Sequence, residues 1–113
     1  VHLLNDIDPK KIADEGGTLI LEIATINIEP GQEAKYEAAF AEAGQYISSM
    51  YGYISHELQR CVEDRNRYIV LVKWQQLQDH TVGFRESENY QKWRALIHPY
   101  FAGPPEVKHY ELV

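Results

Sequence analysis

From Leu19 onward the chain alternates between short two-residue periodicities and longer helical ones. The first stretch, Leu19 to Ile28, carries the sets Ile20-Glu22-Ala24-Ile26-Ile28 and Leu19-Leu21-Ile23-Thr25-Asn27, both largely apolar. A period of two predicts a strand, and two apolar sets predict a strand covered on both faces. Pro30-Gly31 breaks it. Tyr36, Phe40, Ala43 and Ile47 then recur at helical spacing through an alanine-rich stretch with Glu33 in its first turn, which predicts an amphipathic helix. Tyr51-Gly52-Tyr53 turns the chain into a second strand, Tyr53 to Val62, and Asp64-Arg65-Asn66 supplies hairpin chemistry before a third, Tyr68 to Trp74. Its continuous apolar run Ile69-Val70-Leu71-Val72 marks a central strand. From Leu77 to Phe101 the pattern is helical in two pieces, a short one through His80 to Phe84 and a longer one whose start is marked by Ser87. Tyr90, Trp93, Ile97 and Tyr100 or Phe101 form the stripe of the longer piece, and Pro99 limits it. Gly103-Pro104-Pro105 forces an extended loop into a last strand, Val107 to Leu112.

The order βαββαβ is that of an α+β, ferredoxin-like fold: a four-stranded antiparallel sheet with two helical regions on one face. Two helices cover only one face, yet strands one and three are apolar on both. The exposed patch would be too large for a soluble monomer, so a second copy is expected to cover it, giving a homodimer with a barrel-like core. Residues 1–18 read differently, as an N-terminal arm: Leu3-Leu4, then a polar stretch with Asp8 before Pro9, ending in Gly16-Gly17. The domain proper is expected to span residues 19–113.

Composition narrows the partners. At 113 residues there is room for one core, and 44% hydrophobic with 25% charged residues is ordinary for a folded soluble chain. A formal net charge of −6 with no basic patch argues against nucleic acid. No apolar run reaches the length of a membrane span, and the N-terminus lacks the charged-then-apolar pattern of a secretory signal. With Cys61 as the single cysteine there is no internal disulfide, so a cytoplasmic location is expected.

Three co-ordered segments carry a family resemblance: LILEIATINIEPGQEAKYEAAFAEA, GYISHELQRCVEDRNRYIVLVKW and DHTVGFRESENYQKWRALIHPYF. Together they resemble the antibiotic biosynthesis monooxygenase family of small dimeric α+β barrel proteins. The resemblance implies a ligand held between the sheet and the helices of each subunit. It also implies a reaction class, cofactor-independent oxygenation of a small phenolic or quinol-type aromatic compound. Other members are haem-degrading enzymes, an isomerase of a signalling molecule, and proteins with no established reaction. A non-catalytic dimeric small-molecule-binding protein and an isomerase of the same fold therefore stand as alternatives. Family members often place a histidine three residues before a Ser or Thr of the second helix. Counting back from Ser87 gives Phe84, and the histidine of this chain is His80, one turn earlier. The asparagine, tryptophan and histidine of the haem-degrading members align with Ala24, Phe84 and Arg94, which argues against haem degradation.

Oxygenation without flavin or metal requires a substrate whose anion can pass an electron to dioxygen, with the protein supplying a base, an orienting donor and a dry apolar pocket. His80 is the candidate base, because neutral imidazole accepts a proton near pH 7; the competing reading is a half-exposed histidine at a helix start with no role. His56, in the set Ile54-His56-Leu58, reads as a satisfied interior histidine, and His98 and His109 have weaker claims. The five histidines show no H-x-x-x-H or H-x-H spacing, so no metal site is expected, and the absence of a glycine-rich phosphate loop leaves no expected cofactor. Trp74, Phe84, Tyr68, Tyr90 and Trp93 could wall a pocket for a flat aromatic ligand or could simply pack as core, with Asn27 and Arg85 as candidate polar contacts.

Overall fold

The computed structural model describes residues 19–113, so the arm expected over residues 1–18 lies outside the described residues. The elements follow the expected order: β1 (Ile20–Asn27), α1 (Glu33–Ser48), β2 (Tyr53–Arg60), β3 (Arg67–Trp74), a π-helical turn (Asp79–Phe84), α2 (Glu88–Ile97), a 3-10 turn (His98–Tyr100) and β4 (Glu106–Glu111). The four strands form one antiparallel sheet in the order β2-β3-β1-β4, the ferredoxin-like arrangement. β1 and β3, the two strands apolar on both faces, are the central pair, and β2 and β4 are the edges.

The strand ends differ from the sequence reading, and β3 begins one residue earlier, at Arg67. β2 stops at Arg60 rather than Val62, because the hairpin closes early: the Cys61 amide bonds to the Arg67 carbonyl and the Arg67 amide to the Asp64 carbonyl. Val62 is left exposed in the turn. β1 is one residue shorter at each end than the run Leu19 to Ile28. β4 spans Glu106–Glu111 instead of Val107 to Leu112, leaving Leu112 exposed beyond its last pairing with β1.

Strand alternation divides the sheet. Glu22, Ala24 and Ile26 of β1 and Tyr68, Val70, Val72 and Trp74 of β3 are buried beneath the helices. Against them α1 lays Tyr36, Phe40, Ala43 and Ile47, the predicted stripe, and α2 lays Trp93 and Ile97. Leu21, Ile23, Ile69 and Leu71 point to the other face and stay partly exposed. In register, Ile23 sits between Leu71 on one side and Lys108 on the other, so a short apolar strip runs down the middle of the open face.

The second helical region forms in two pieces for local reasons. Ser87 adopts an extended backbone and its hydroxyl oxygen accepts the Tyr90 amide at 3.1 Å, a helix N-cap. The same hydroxyl donates to the Phe84 carbonyl at 2.7 Å, tying α2 to the preceding turn. That turn is wound wide, with the Arg85 amide bonded to the His80 carbonyl five residues back. Its first residue, Asp79, packs against Gly52 in the turn before β2. Gly52 has a φ of 82°, and a Cβ there would collide with the Asp79 carboxylate. The Asp79 carboxylate in turn accepts the Gln76 amide at 3.1 Å.

Candidate functional site

β1 delivers one carboxylate into an otherwise apolar layer. Glu22 occupies a helix-facing position of an alternating strand and is 7% exposed. Its Oε1 accepts a hydrogen bond from Trp74 Nε1 at 2.9 Å, and His80 Nε2 lies 3.4 Å from the same oxygen. The imidazole of His80 stacks on the Trp74 indole, with ring centroids 5.6 Å apart and planes 20° from parallel. Its other nitrogen, Nδ1, is 2.8 Å from Nε2 of His109 on β4. Strand register explains the meeting: His109 is the direct β4 partner of Glu22.

The result is a chain of three titratable groups running from β1 through the π-helical turn to β4. The two ring nitrogens of His80 serve different partners, so the three do not converge as a chelating set, and no group able to hold a metal ion occurs among the described residues. Burial pushes the Glu22 carboxyl up to about 7, although the Trp74 hydrogen bond and the Arg85 charge both pull the other way. Burial likewise pushes His80 down to about 3, helped by the positive charge of Arg85 and by His109. His109 is lowered by the same burial and by Arg85. At neutral pH both imidazoles are therefore uncharged, and Glu22 is poised between its acid and its anion. A carboxyl so placed exchanges a proton with a neighbour near pH 7 at little cost, the property required of a general base or acid.

Glu22 and His80 line a cavity of about 300 Å³ between sheet and helices. Ala24, Ile26, Val70 and Val107 form its floor, and Phe84, Tyr90, Trp93 and Ile97 close it from the helical side. Arg85, Arg94 and His98, all exposed, stand around its rim with Pro104 and Pro105.

Several residues singled out in the sequence meet here. His80 is 3% exposed and in the wall, which overturns its reading as a half-exposed histidine at a helix start. Phe84, Tyr90 and Trp93 line the cavity, as do Ala24 and Arg94, two of the positions aligned with haem-degrading relatives. Trp74 stands one layer behind, fully buried, holding Glu22 and stacking on His80. Two candidates lie elsewhere. Asn27 is exposed at the end of β1, on the opposite parity from Ala24 and Ile26, and accepts a hydrogen bond from Arg67. Tyr68 is buried under α1, edge to face with Tyr36, and its hydroxyl bonds to Glu37 at 2.6 Å. His56 is the satisfied histidine expected, bonded to the Tyr53 hydroxyl and packed edge-on to Phe40. The reading of the sequence missed Glu22 and undervalued His109. The signal for Glu22 was present, a lone acid among Ile20, Ala24, Ile26 and Ile28.

A fold of this order, with a lined cavity between its sheet and helices, defines the class before any comparison does. The family model described as antibiotic biosynthesis monooxygenase matches residues 19–96, and the chain belongs to that family. It is 43% identical over 93 residues to the uncharacterized protein YczJ of Bacillus subtilis, covering 82% of this chain and 98% of that one. A solved structure from Bordetella bronchiseptica, called a "putative antibiotic biosynthesis monooxygenase", superposes with a TM-score of 0.84 at 38% identity, over 86% of this chain and 99% of that one. SnoaB, a cofactor-independent oxygenase from Streptomyces nogalater, shares the fold with a TM-score of 0.71 at 14% identity, over 83% and 92% of the two chains. No helix among the described residues is long and apolar enough to cross a membrane.

Proposed function

We propose that the protein is a cofactor-independent monooxygenase of a small phenolic or quinol-type aromatic compound, bound in the cavity beside Glu22 and His80. The observation that carries this reading is a buried carboxyl held near neutral pKa, 3.4 Å from an uncharged imidazole, at the wall of an apolar cavity. Such a pair removes the proton that makes an aromatic substrate oxidisable. For an anthrone-type substrate, deprotonation of the ring CH2 or its enol gives an electron-rich anion, which passes an electron to dioxygen. The two radicals combine to a peroxide, and loss of water leaves a new carbonyl. One oxygen atom stays on carbon and the other leaves as water, so no external reductant is consumed. Apolar walls serve this chemistry by excluding bulk water from the anion. The proton taken by Glu22 returns to the peroxide anion and leaves in the water, so the carboxylate is regenerated.

The base is thus the Glu22–His80 pair rather than His80 alone, since burial weakens His80 as an acceptor and strengthens Glu22. Phe84, Tyr90 and Trp93 are assigned to shaping the pocket, with Trp74 positioning the pair. A second copy of the chain covers the apolar strip of the open sheet face, in keeping with a family whose members are typically dimeric. The same proton-handling pair also suits an isomerase, which moves a proton between two carbons. Oxygen-electrode measurements with a panel of hydroquinones and anthrones separate the two. Oxygen uptake by the wild type, lost at least about a hundredfold in Glu22→Gln and reduced in His80→Gln, is the expected result for removal of a general base. Product formed without oxygen uptake turns the assignment to isomerisation, and rates unchanged in Glu22→Gln remove the proposed base.

A further inference from the structure

The rim of the cavity carries two guanidinium charges outside any ion pair among the described residues. Of the residues lining it, Arg85 and Arg94 are permanently cationic, and neither forms an ion pair among the described residues. The side chains nearby compensate them only in part, through the field Arg85 exerts on Glu22. Arg94 reaches only the Nε2 of His98, at 3.3 Å, a contact in which the guanidinium donates to an imidazole. The helix's acidic residue Glu88 is taken by Lys92. Glu22, the single carboxyl lining the cavity among the described residues, is at the inner end and half protonated near neutrality. In a chain with a formal net charge of −6, two guanidiniums gathered on one apolar cavity, neither in an ion pair among the described residues, are a local reversal of sign. Water satisfies exposed arginines well enough that stability does not require a partner. A ligand with a matching oxyanion gains from both, because a guanidinium presents its N–H groups in the planar fork that carboxylate and phosphate oxygens accept.

We propose that the cavity selects a one- or two-ring apolar molecule bearing an anionic head group of the carboxylate or phosphate type, with the rings against Phe84 and Trp93 and the anion at Arg85 and Arg94. The size fits: about 300 Å³ is at the small end of small-molecule sites, which run from roughly 300 to 1,000 Å³. The polarity fits too, since the reacting end of such a molecule would face Glu22 and His80 while its anion stays at the wet rim and avoids the cost of burial. This inference rests on the cavity being the substrate site, but it does not depend on oxygen chemistry.

The test is calorimetric binding of redox-inert probes of equal shape: 2-naphthoate, 2-naphthyl phosphate and the neutral 2-naphthamide, at neutral pH and low ionic strength. At least one anion is expected to bind about tenfold or more tighter than the amide. Which anion does so distinguishes a carboxylate substrate from a phosphate ester. In the Arg85→Gln/Arg94→Gln double variant the preference is expected to fall to within about twofold while amide affinity is unchanged, and added salt is expected to erode it in the wild type. An amide that binds as tightly as both anions, a preference that survives the double variant, or no binding of either anion up to about 1 mM overturns the inference. Selective anion binding in a protein that consumes no oxygen would keep this inference and discard the oxygenase reading. Oxygen uptake with uncharged hydroquinones and no anion preference would do the reverse.

Discussion

The two faces of one sheet are made by alternate residues of the same strands, yet they break opposite rules. The helix-covered face is closed and apolar, but it buries Glu22. The other face is open and flanked by polar residues, but it displays Leu21, Ile23, Ile69 and Leu71 along its middle. A buried charge costs free energy unless it is paired, hydrogen-bonded or neutralised, and an exposed apolar strip costs solubility unless something covers it. Each anomaly matches a different proposed partner: a proton-exchanging substrate on one face, a second copy of the chain on the other. Neighbouring positions on a single strand can fall under entirely different requirements, and the boundary between them is one residue wide.

That contrast can be broken most severely at adjacent residues of β3. Val70 is 2% exposed under the helices, and Val70→Glu would bury an unpaired charge at a cost of at least about 4 kcal/mol, enough to unfold much of the population. Leu71→Glu, one step along and on the open face, is expected to leave the subunit folded and weaken self-association by about a hundredfold or more. Circular dichroism read with light scattering checks both. Two variants that unfold alike, or a Leu71→Glu protein that stays as associated as the wild type, would erase the distinction between the faces.

A smaller effect sharpens the contrast through pH. Glu22, raised from 4.5 to about 7, holds its proton more tightly in the folded chain, so its contribution to stability is present below 4.5 and is lost as pH rises to about 7. His80, lowered from 6.5 to about 3, contributes above 6.5 and loses that contribution as pH falls to about 3. Between 4.5 and 6.5 the two slopes oppose each other, each as large as about 1.4 kcal/mol per pH unit. The combined contribution of this pair is expected to be nearly flat there. Glu22→Gln should make it rise with pH, and His80→Gln should make it fall. Urea midpoints taken across this window read the tilt, and three parallel profiles would show that the two groups do not titrate as described.

The smallest expected change lies at the edge of the covered face. Ser87→Ala removes the cap of α2 and its tie to Phe84, at about 1 kcal/mol. A thermal midpoint unmoved by the substitution would mean that α2 is held by Trp93 and Ile97 alone.

How much of this was written in the sequence follows from how local each signal is. Strand alternation, the α1 stripe and the Ser87 cap each depend on residues within one or two turns, and each was legible. The end of β2 was not, because it depends on which backbone groups close the hairpin. The pocket aromatics Phe84, Tyr90 and Trp93 could be placed because they share one helical region. The Glu22–His109 meeting could not, because it depends on the register between β1 and β4, which are adjacent in the sheet and separated by most of the chain. Tyr68 and Asn27 were misplaced for a related reason: composition marks them as suitable for a pocket, but only the position of the helices over the sheet decides that the cavity lies away from both.

The close approach of Gly52 to Asp79 has a practical side for anyone redesigning the cavity. Asp79 opens the turn that carries His80, so even one methyl group at position 52 would have to displace the Asp79 carboxylate at the start of that turn. A mutant library meant to enlarge the cavity should hold that residue constant. A library meant to test how far the His80 turn depends on this contact should begin there.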